Sequence, residues 1–393
     1  MLEVRDIYYA YIYGWLNTIF EVTDTVLFRP ELELGNAFKE NLTIKEYLKK
    51  HYKINIEKLN IMMDHGIFVS DELFKRFFGV EKNLPNLIKV YDVLGVNYGL
   101  AFDVPSRLQL QTAIEIAVSK FLNIEPNEKM IKSVYPLLKP QIYKLAETFL
   151  SYIDPNDKSL KPRVIKNKLM RLMKEKRELY SEVENLSLQT VNETLRNLEE
   201  QLRIKKSQGG KFVLIPVIQG LYLEHSKECL RKTIDLLISY EEFLPEKDEK
   251  YLYIAIGTGG TVLSTQEAEM INNLLAYGHE YAGKHKVKVR FHILGWSSPT
   301  MARKLRLDLV YSSDSLSVRR RAVDGKIYML EDGKLRLVEV ARINPESWKC
   351  ECPACKSFSS YVLDPSGKRR NDVRFVHSLW SIKKYIGEII NKK

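Results

Sequence analysis

Short apolar runs, each ended by a polar residue or a glycine, constrain the fold of this chain more than any other feature. Six such runs lie at residues 59–63, 98–102, 212–218, 251–256, 289–294 and 309–311. Their apolar positions are continuous and do not alternate with polar ones, which is typical of parallel strands covered on both faces. Helical stretches such as 226–239 and 268–282 separate the later runs. Strand–helix alternation over this length predicts an α/β fold.

The number of strands favours a particular α/β architecture. Two more strands in the first 58 residues or near the C-terminus would complete a (β/α)8 TIM barrel. A doubly wound sheet is the alternative, but no GxGxxG follows the first strand, which argues against its dinucleotide-binding version. We therefore expect a TIM-barrel domain built from residues 1–106 and 209–345.

The interval between Asp103 and Phe212 is too long for one crossover and predicts a helical insertion at 107–208. Apolar residues recur at helical spacing within 109–122, 129–153 and 163–205. The middle of the insertion is basic, and its cations can form a solvated helix face or an arm that contacts phosphates; both interpretations stay open. The basic side chains are Lys158, Lys161, Arg163, Lys166, Lys168, Arg171, Lys174, Lys176 and Arg177.

The charge of the whole chain points in the same direction. The 393 residues carry a formal net charge of +11. Lysine and arginine side chains neutralise phosphates and release their counterions, so this balance suits a nucleic-acid partner. Solubility alone would also explain it, and net charge does not separate the two explanations.

Cysteine usage indicates the compartment. Three of the four cysteines lie together and the fourth, Cys229, is far from them, so the pattern is not a disulfide framework. The N-terminus lacks the basic segment and apolar core of a signal peptide, and no run reaches the roughly 18 apolar residues of a membrane span. We expect a cytoplasmic protein without a membrane partner.

The cysteine cluster predicts a metal site. Cys350, Cys352 and Cys355 place three thiols within six residues, and His377 follows. Zinc takes four such ligands in a tetrahedron, and a site filled by four protein ligands is structural. We expect structural Zn²⁺ in a C-terminal subdomain, 346–393, that ends in a helix. His285 and His292 are competing fourth ligands, although His292 lies inside a predicted strand, where a core histidine is expected.

Six motifs follow the predicted strands in order. In chain order they are MMDHGIF at 62–68, LAFD at 100–103, IPVIQG at 215–220, AIGTGG at 255–260, FHILGWSSP at 291–299 and DLVYSSDS at 308–315. With the CxCxxC…His pattern, this order resembles the tRNA-guanine transglycosylase superfamily, which includes related enzymes that modify DNA. The family's corresponding motifs are LDSGGFQ, MAFDE, GIVQG, AIGGL, MGVGTP and DxFDS/C. His65 and Ile67 replace a serine and a glycine of the first motif, which indicates a divergent branch.

The resemblance implies a base-exchange reaction with two carboxylates. Cleavage of an N-glycosidic bond builds charge on the sugar, which a carboxylate can trap covalently while a second acid assists the leaving base. Asp314 is the candidate nucleophile at C1′, and Asp64 is the candidate general acid and base. Both also fit structural roles, as a strand-end turn and a helix N-cap. Base recognition is expected from Asp103, with contributions from Gln219, Gly220, Gly259, Gly260, His65 and Phe68.

The polymer partner is expected to be DNA or tRNA. The enzyme would have to flip its target nucleotide out of the stack, and Arg319, Arg320 and Arg321 are candidate phosphate contacts beside Asp314. The first motif is divergent, and no RNA-binding domain is expected after the zinc region. For these two reasons DNA is slightly favoured over tRNA as the substrate. A non-catalytic nucleic-acid-binding partner subunit is the alternative function. The incoming 7-deazaguanine-type base is not specified, and a homodimer is the default assembly.

Overall fold

Parallel strands form the centre of the fold. The computed structural model describes residues 25–28, 31–65, 70–132, 134–244, 249–257, 265–295, 302–313, 316–363 and 371–391. The parallel strands are β1 (Thr25–Phe28), β2 (Asn60–Met63), β3 (Tyr98–Leu100), β4 (Val213–Ile215), β5 (Val217–Ile218), β6 (Tyr251–Gly257), β7 (Lys288–Leu294) and β8 (Val310–Ser313). Each of the six predicted strands is present, with ends shifted by one or two residues, and β1 is one of the two strands expected elsewhere in the chain.

Helices separate most of the strands, as the alternation predicts. Before the insertion they are α1 (Leu32–Lys39), α2 (Ile44–Tyr52), α3 (Asp71–Phe78) and α4 (Leu84–Val93). Those of the insertion are α5 (Ser106–Leu122), α6 (Glu128–Lys132), α7 (Lys139–Ser151), α8 (Pro162–Glu175) and α9 (Arg177–Gln208), and those after it are α10 (Leu223–Ser239) and α11 (Thr265–Lys284). The chain is therefore a mixed α/β protein. None of the helices in the described ranges has the length and apolarity needed to cross a lipid bilayer.

Every neighbouring pair of these strands is parallel and follows chain order. The first sheet has the order β1-β2-β3-β4 and the second has the order β5-β6-β7-β8. Only Pro216 separates β4 from β5, and it has no N–H to offer a ladder. Its carbonyl still accepts a hydrogen bond from the Ala255 backbone N–H at 2.8 Å. The predicted run 212–218 thus passes from one sheet into the other.

The two faces of the strands belong to different hydrophobic clusters. Side chains alternate across a strand, so most of the strands contribute to both. The outer cluster packs against the helices and includes Phe28, Met63, Leu214, Ile254 and Phe291. On the inner face, the Tyr98 and Tyr253 rings meet edge to face at 5.4 Å and connect the two sheets. The inner cluster contains Leu27, Met62, Leu100, Val213, Ile215, Val217, Leu244, Tyr253 and Ala255.

A close approach of helix α4 holds strand β3 in place. A Cβ atom on Gly99 would lie 2.4 Å from the Tyr91 ring. Only glycine therefore allows this helix and strand to pack at this distance. The Tyr91 hydroxyl donates to the Leu100 carbonyl at 2.8 Å, which positions the end of the strand that leads to Asp103.

The helical insertion has a hydrophobic cluster of its own, which runs from Val104 to Leu186 along the chain. The predicted helix 129–153 is interrupted, because Pro136 and Pro140 can stand only near helix starts and separate α6 from α7. The predicted helix 163–205 breaks at Lys176, whose backbone is extended. Helix α9 ends at Gly209, whose φ of 69° is left-handed.

A hairpin and two helices complete the chain. Strands β9 (Lys326–Glu331) and β10 (Lys334–Glu339) pair antiparallel. Their turn uses Asp332 and Gly333, which both have positive φ, as a two-residue hairpin of this kind requires. Helix α12 (Leu316–Val323) precedes the hairpin, and α13 (Pro353–Leu363) and α14 (Asn371–Asn391) follow it. The division into barrel, insertion and C-terminal subdomain stays a prediction.

Candidate functional site

The carboxyl ends of β2, β3 and β5 bring four of the predicted residues into one region. Asp64 and His65 follow β2 directly, Asp103 lies three residues beyond β3, and Gln219 follows β5. His65, Asp103 and Gln219 are buried and Asp64 is half-buried. Parallel strands align their carboxyl ends at one edge, which is the reason that residues so distant in sequence meet.

Asp103 is held on both of its carboxylate oxygens. Its Oδ1 lies 2.9 Å from His65 Nε2, and Gln219 Nε2 donates to its Oδ2. Gln219 Oε1 in turn accepts from the Ser106 backbone N–H at 3.0 Å. Carboxylate oxygens have two acceptor positions each, so Asp103 is fixed in orientation and still has positions for further donors.

The imidazole of His65 is enclosed and incompletely bonded. Its ring lies edge to face with Phe102 at 5.3 Å between centroids, and its Nε2 is 3.9 Å from Asp64 Oδ1. Its other nitrogen, Nδ1, is buried and has no hydrogen-bond partner among the described residues. A buried polar atom left unpaired costs about 1–3 kcal/mol. Such an atom beside two carboxylates is suited to bond a polar group of a ligand.

Burial and nearby charges together shift the pKa values of two side chains near Asp64. Burial by itself lowers the pKa of His65, but the hydrogen bond to Asp103 and the charges of Asp64 and Asp103 outweigh burial and raise that pKa above its ordinary value. Burial lowers the pKa of Lys82, and the charges of Asp71 and Asp64 oppose this. The site therefore favours a protonated imidazole beside two carboxylates.

Sequence reasoning missed one residue and one group of residues near the site. Lys82 lies in no motif; it stands between α3 and α4 in the chain, and its charge interacts with that of Asp64. The group is a set of buried polar residues on α9, which hydrogen-bond to the backbone around Asp103. Their signal was present in the sequence as polar residues at helical spacing within 163–205.

Several predicted residues have no described geometry. Asp314, Phe68, Gly259 and Gly260 lie outside the described residues. Strand β8 ends at Ser313, one residue before Asp314 in the chain. Gly220 has a φ of 140°, and a Cβ there would lie 2.6 Å from Ser226 Oγ. Packing against α10 thus gives Gly220 a structural reason to be glycine.

The four predicted metal ligands form one cluster. The Sγ atoms of Cys350, Cys352 and Cys355 lie 3.4, 3.3 and 3.3 Å from His377 Nδ1, and the ligand atoms all lie within 4.8 Å of one another. Tetrahedral zinc would set sulfur and nitrogen ligands about 3.6 Å apart. The three sulfur–nitrogen distances are therefore within a few tenths of an ångström of that value, and the cluster can hold a metal ion.

The fold selects His377 from the competing histidines. His377 lies on α14, while the cysteines lie before and in the first turn of α13. His292 is buried in β7, where its Nδ1 is 2.8 Å from Ser312 Oγ, and His285 is exposed. The prediction of His292 as a core histidine is thus confirmed. Around the cluster, the Trp348 ring packs on the His377 ring at 5.5 Å.

Some of the predicted basic residues form ion pairs with acidic side chains, and others form none with the described residues. In the insertion, Lys166 pairs with Glu115 and Lys168 with Asp157, so these two support the fold. On α12, Arg320 and Arg321 are exposed and Arg319 is half-buried. Among the basic residues of 158–177, five exposed cations form neither an ion pair nor a cation–π contact with any residue in the described ranges, and we call them the α8 basic surface: Lys161, Arg163, Lys174, Lys176 and Arg177.

Comparison with known proteins leaves the family open. No protein-family model matches the chain, and no curated protein is similar enough in sequence to count as a relative. The resemblance to the transglycosylase superfamily therefore rests on the order of short motifs and on the Cys3His cluster. The geometry around Asp103 is independent of that resemblance.

Proposed function

We propose that the chain is a guanine transglycosylase, which exchanges a guanine base in DNA or tRNA for a 7-deazaguanine derivative. The observation that carries the proposal is the meeting of Asp64, His65, Asp103 and Gln219 at the carboxyl edge of the parallel strands. Two carboxylates and two amide or imidazole donors at that edge suit the recognition and protonation of a purine-like base.

The reaction is two displacements at one carbon. The Asp314 carboxylate attacks C1′ of the target nucleotide, the C1′–N9 bond breaks, and Asp64, which has to be protonated for this step, gives its proton to the departing guanine. The incoming base then loses a proton to Asp64 and attacks C1′, which releases Asp314. Two inversions restore the original configuration at the sugar, as in retaining glycosidases.

The held carboxylate of Asp103 supplies base recognition. A guanine-type edge presents N–H donors, and Asp103 keeps acceptor positions that His65 and Gln219 do not use. Because both partners lock its orientation, little entropy is lost when a base binds. The unpaired His65 Nδ1 supplies a second contact of the same site.

The finer architecture is part of the proposal. Strands in chain order, all parallel, with one shared inner cluster, support a (β/α)8 barrel. The Cys3His cluster supports structural Zn²⁺, because soft thiolates and one imidazole are the ligand set that zinc prefers. Four protein ligands leave no open position, so the ion would tie α13 to α14 and take no part in the base exchange.

The proposed polymer contacts are cationic. Arg320 and Arg321 are exposed within ten residues of Asp314 in the chain, and the α8 basic surface supplies five further charges. Exposed cations without ion-pair partners are free to neutralise phosphates. The proposal also includes a cytoplasmic location and a homodimer.

The test is to trap the covalent intermediate. Purified protein is incubated with duplex DNA, single-stranded DNA or tRNA together with a 7-deazaguanine base, denatured, and analysed for a protein–nucleic-acid adduct. We expect an adduct with one class of polymer, and none with the Asp314→Asn variant, which keeps the shape of the side chain but lacks the nucleophilic carboxylate. Asp324→Asn, an exposed carboxylate on the same segment, is the matched control and should form the adduct normally.

The outcomes separate the candidate functions. Tight binding of a polymer without an adduct, and without incorporation of labelled guanine, would replace the proposal by a non-catalytic nucleic-acid-binding subunit. An adduct that persists in Asp314→Asn would place the nucleophile elsewhere. Failure to bind either polymer or base would reject both functions.

A further inference from the structure

Helix α9 carries a stripe of polar side chains on a buried face. They recur every three or four residues, so they lie on one side of the helix. Buried polar groups cost free energy unless they are hydrogen-bonded, and apolar side chains would be expected at such positions. The members of this stripe, which we call the α9 polar stripe, are Ser187, Thr190, Thr194, Asn197 and Gln201.

The stripe bonds to the segment that contains Asp103. Gln201 Oε1 accepts from the Phe102 backbone N–H at 3.0 Å, and its Nε2 lies 3.4 Å from the Phe102 carbonyl oxygen. Thr194 Oγ1 accepts from the Val104 N–H at 3.0 Å. Hydrogen bonds from α9 therefore hold the residues on both sides of Asp103.

These contacts take the place of the backbone hydrogen bonds that a neighbouring strand would make. The ladder of β3 ends at Ala101, whose N–H donates to the Ile215 carbonyl at 2.8 Å. Beyond it the backbone has left the sheet, and buried backbone groups must find other partners. The side-chain amide of Gln201 both donates to and accepts from Phe102, as a neighbouring strand would.

The stripe also reaches the loop that carries Gln219. Ser187 Oγ accepts from the Leu221 backbone N–H at 2.9 Å. The hydroxyls of Thr190 and Ser106 lie 2.5 Å apart, and the Ser106 N–H is the donor to Gln219 Oε1. One helix thus supports both the segment that contains Asp103 and the loop that contains its partner Gln219.

We propose that α9 is the positioning element of the candidate site, and that its polar stripe sets the geometry in which Asp103 stands between His65 and Gln219. The helical insertion is then part of the base-binding site and not only an appended arm. The part of this inference that concerns base binding rests on the proposed function. The stripe residues touch no substrate; they act through Asp103.

The first test needs no substrate. Thr194→Val removes the hydroxyl at constant shape, Thr194→Ser restores it, and Gln189→Met changes an exposed residue of the same helix as a control. Loss of one hydrogen bond should speed exchange of the Val104 amide proton about tenfold in Thr194→Val only. The NMR signal of the His65 Nε2 proton, which reports the bond to Asp103, should weaken in the same variant.

The second test separates positioning from folding. Thr194→Val should raise the KM for the incoming base about tenfold and leave the affinity for the polymer unchanged, while Thr194→Ser behaves as the wild type. Unchanged Val104 exchange and His65 signal would overturn the inference whatever the enzyme does. A parallel loss of base binding, polymer binding and thermal stability would also overturn it, because that is the result of a purely structural role. If the wild type exchanges no base, the proposed function fails, and the His65 signal alone decides the inference.

Discussion

At His65, burial and charge act in opposite directions on one imidazole. Burial disfavours the protonated form, while Asp103 and Asp64 favour it, and the charges prevail, so the pKa of His65 is raised. The arrangement is costly for a residue with only a structural role, since its Nδ1 has no hydrogen-bond partner in the part of the chain that the structure describes. A binding role for the imidazole accounts for both observations.

His65 should make stability depend on pH. Because its folded-state pKa is raised, its stabilising effect is complete below about pH 6.5, the ordinary histidine value, and disappears as the pH rises through the raised value. His65→Gln should therefore lower the thermal unfolding midpoint most at acidic pH, by the equivalent of about 2 kcal/mol. Differential scanning fluorimetry from pH 5 to pH 9 measures this.

The control for that experiment is His285→Gln, at an exposed position, which should leave the pH profile unchanged. A destabilisation by His65→Gln that is equal at all pH values would mean that His65 contributes by packing alone, and that the charges of Asp64 and Asp103 do not act on it.

Among the elements, α13 and α14 each contribute a ligand to the Cys3His cluster, Cys355 and His377. Cys352→Ser or His377→Ala should remove one equivalent of bound zinc per chain and destabilise this region by several kcal/mol, since metal affinity is also folding free energy. Metal analysis and thermal unfolding are the measurements. Cys229→Ala is the matched control: this thiol is buried, burial raises its pKa to about 11, and its removal should leave the metal in place. Full metal content in His377→Ala would contradict the ligand assignment.

The α8 basic surface should act through salt-dependent binding. Changing Lys174, Lys176 and Arg177 to Gln should weaken polymer binding and reduce the slope of log K against log salt by about 0.9 for each phosphate of duplex DNA that the variant no longer neutralises. Fluorescence anisotropy at several salt concentrations measures both. Lys168→Gln, which removes an ion pair with Asp157, is the control and should affect stability while the slope is retained. Unchanged slopes in the triple variant would make this surface a solvated helix face.

At the scale of the whole molecule, the inner cluster makes the two sheets one structure. Tyr98 belongs to the first sheet and Tyr253 to the second, and their rings are in contact. A double-mutant cycle with Tyr98→Leu and Tyr253→Leu should give a coupling free energy of about 0.5–1.5 kcal/mol. Tyr98→Leu combined with Tyr277→Leu, on the outer helix α11, should be additive. Additivity in the first pair as well would mean that the sheets are stabilised independently.

The charge of the molecule is distributed by the fold in a way that composition does not reveal. The net charge of +11 includes cations such as Lys166 and Lys168 that form ion pairs within the insertion. Only the bare cations are available to a polyanion. Basic residues of 158–177 that already form ion pairs are explained by the fold. The choice between a solvated helix face and a phosphate-contacting arm therefore concerns only the remaining cations of that stretch.

The sequence by itself determined the features that depend on local pattern. Continuous apolar runs specify buried parallel strands, and the residue after each run must lie at the carboxyl edge of a sheet; hence Asp64 and Gln219 could be assigned to one region. The three cysteines, two and three residues apart, needed only one more ligand to complete a metal site.

The tertiary structure decided which side chains meet. His65 and Asp103 are 38 residues apart, Gln219 and Asp103 are 116 apart, and Gln201 and Phe102 are 99 apart. Such pairings depend on the packing of complete elements, because a hydrogen bond is decided by distances of a few tenths of an ångström that no local periodicity encodes.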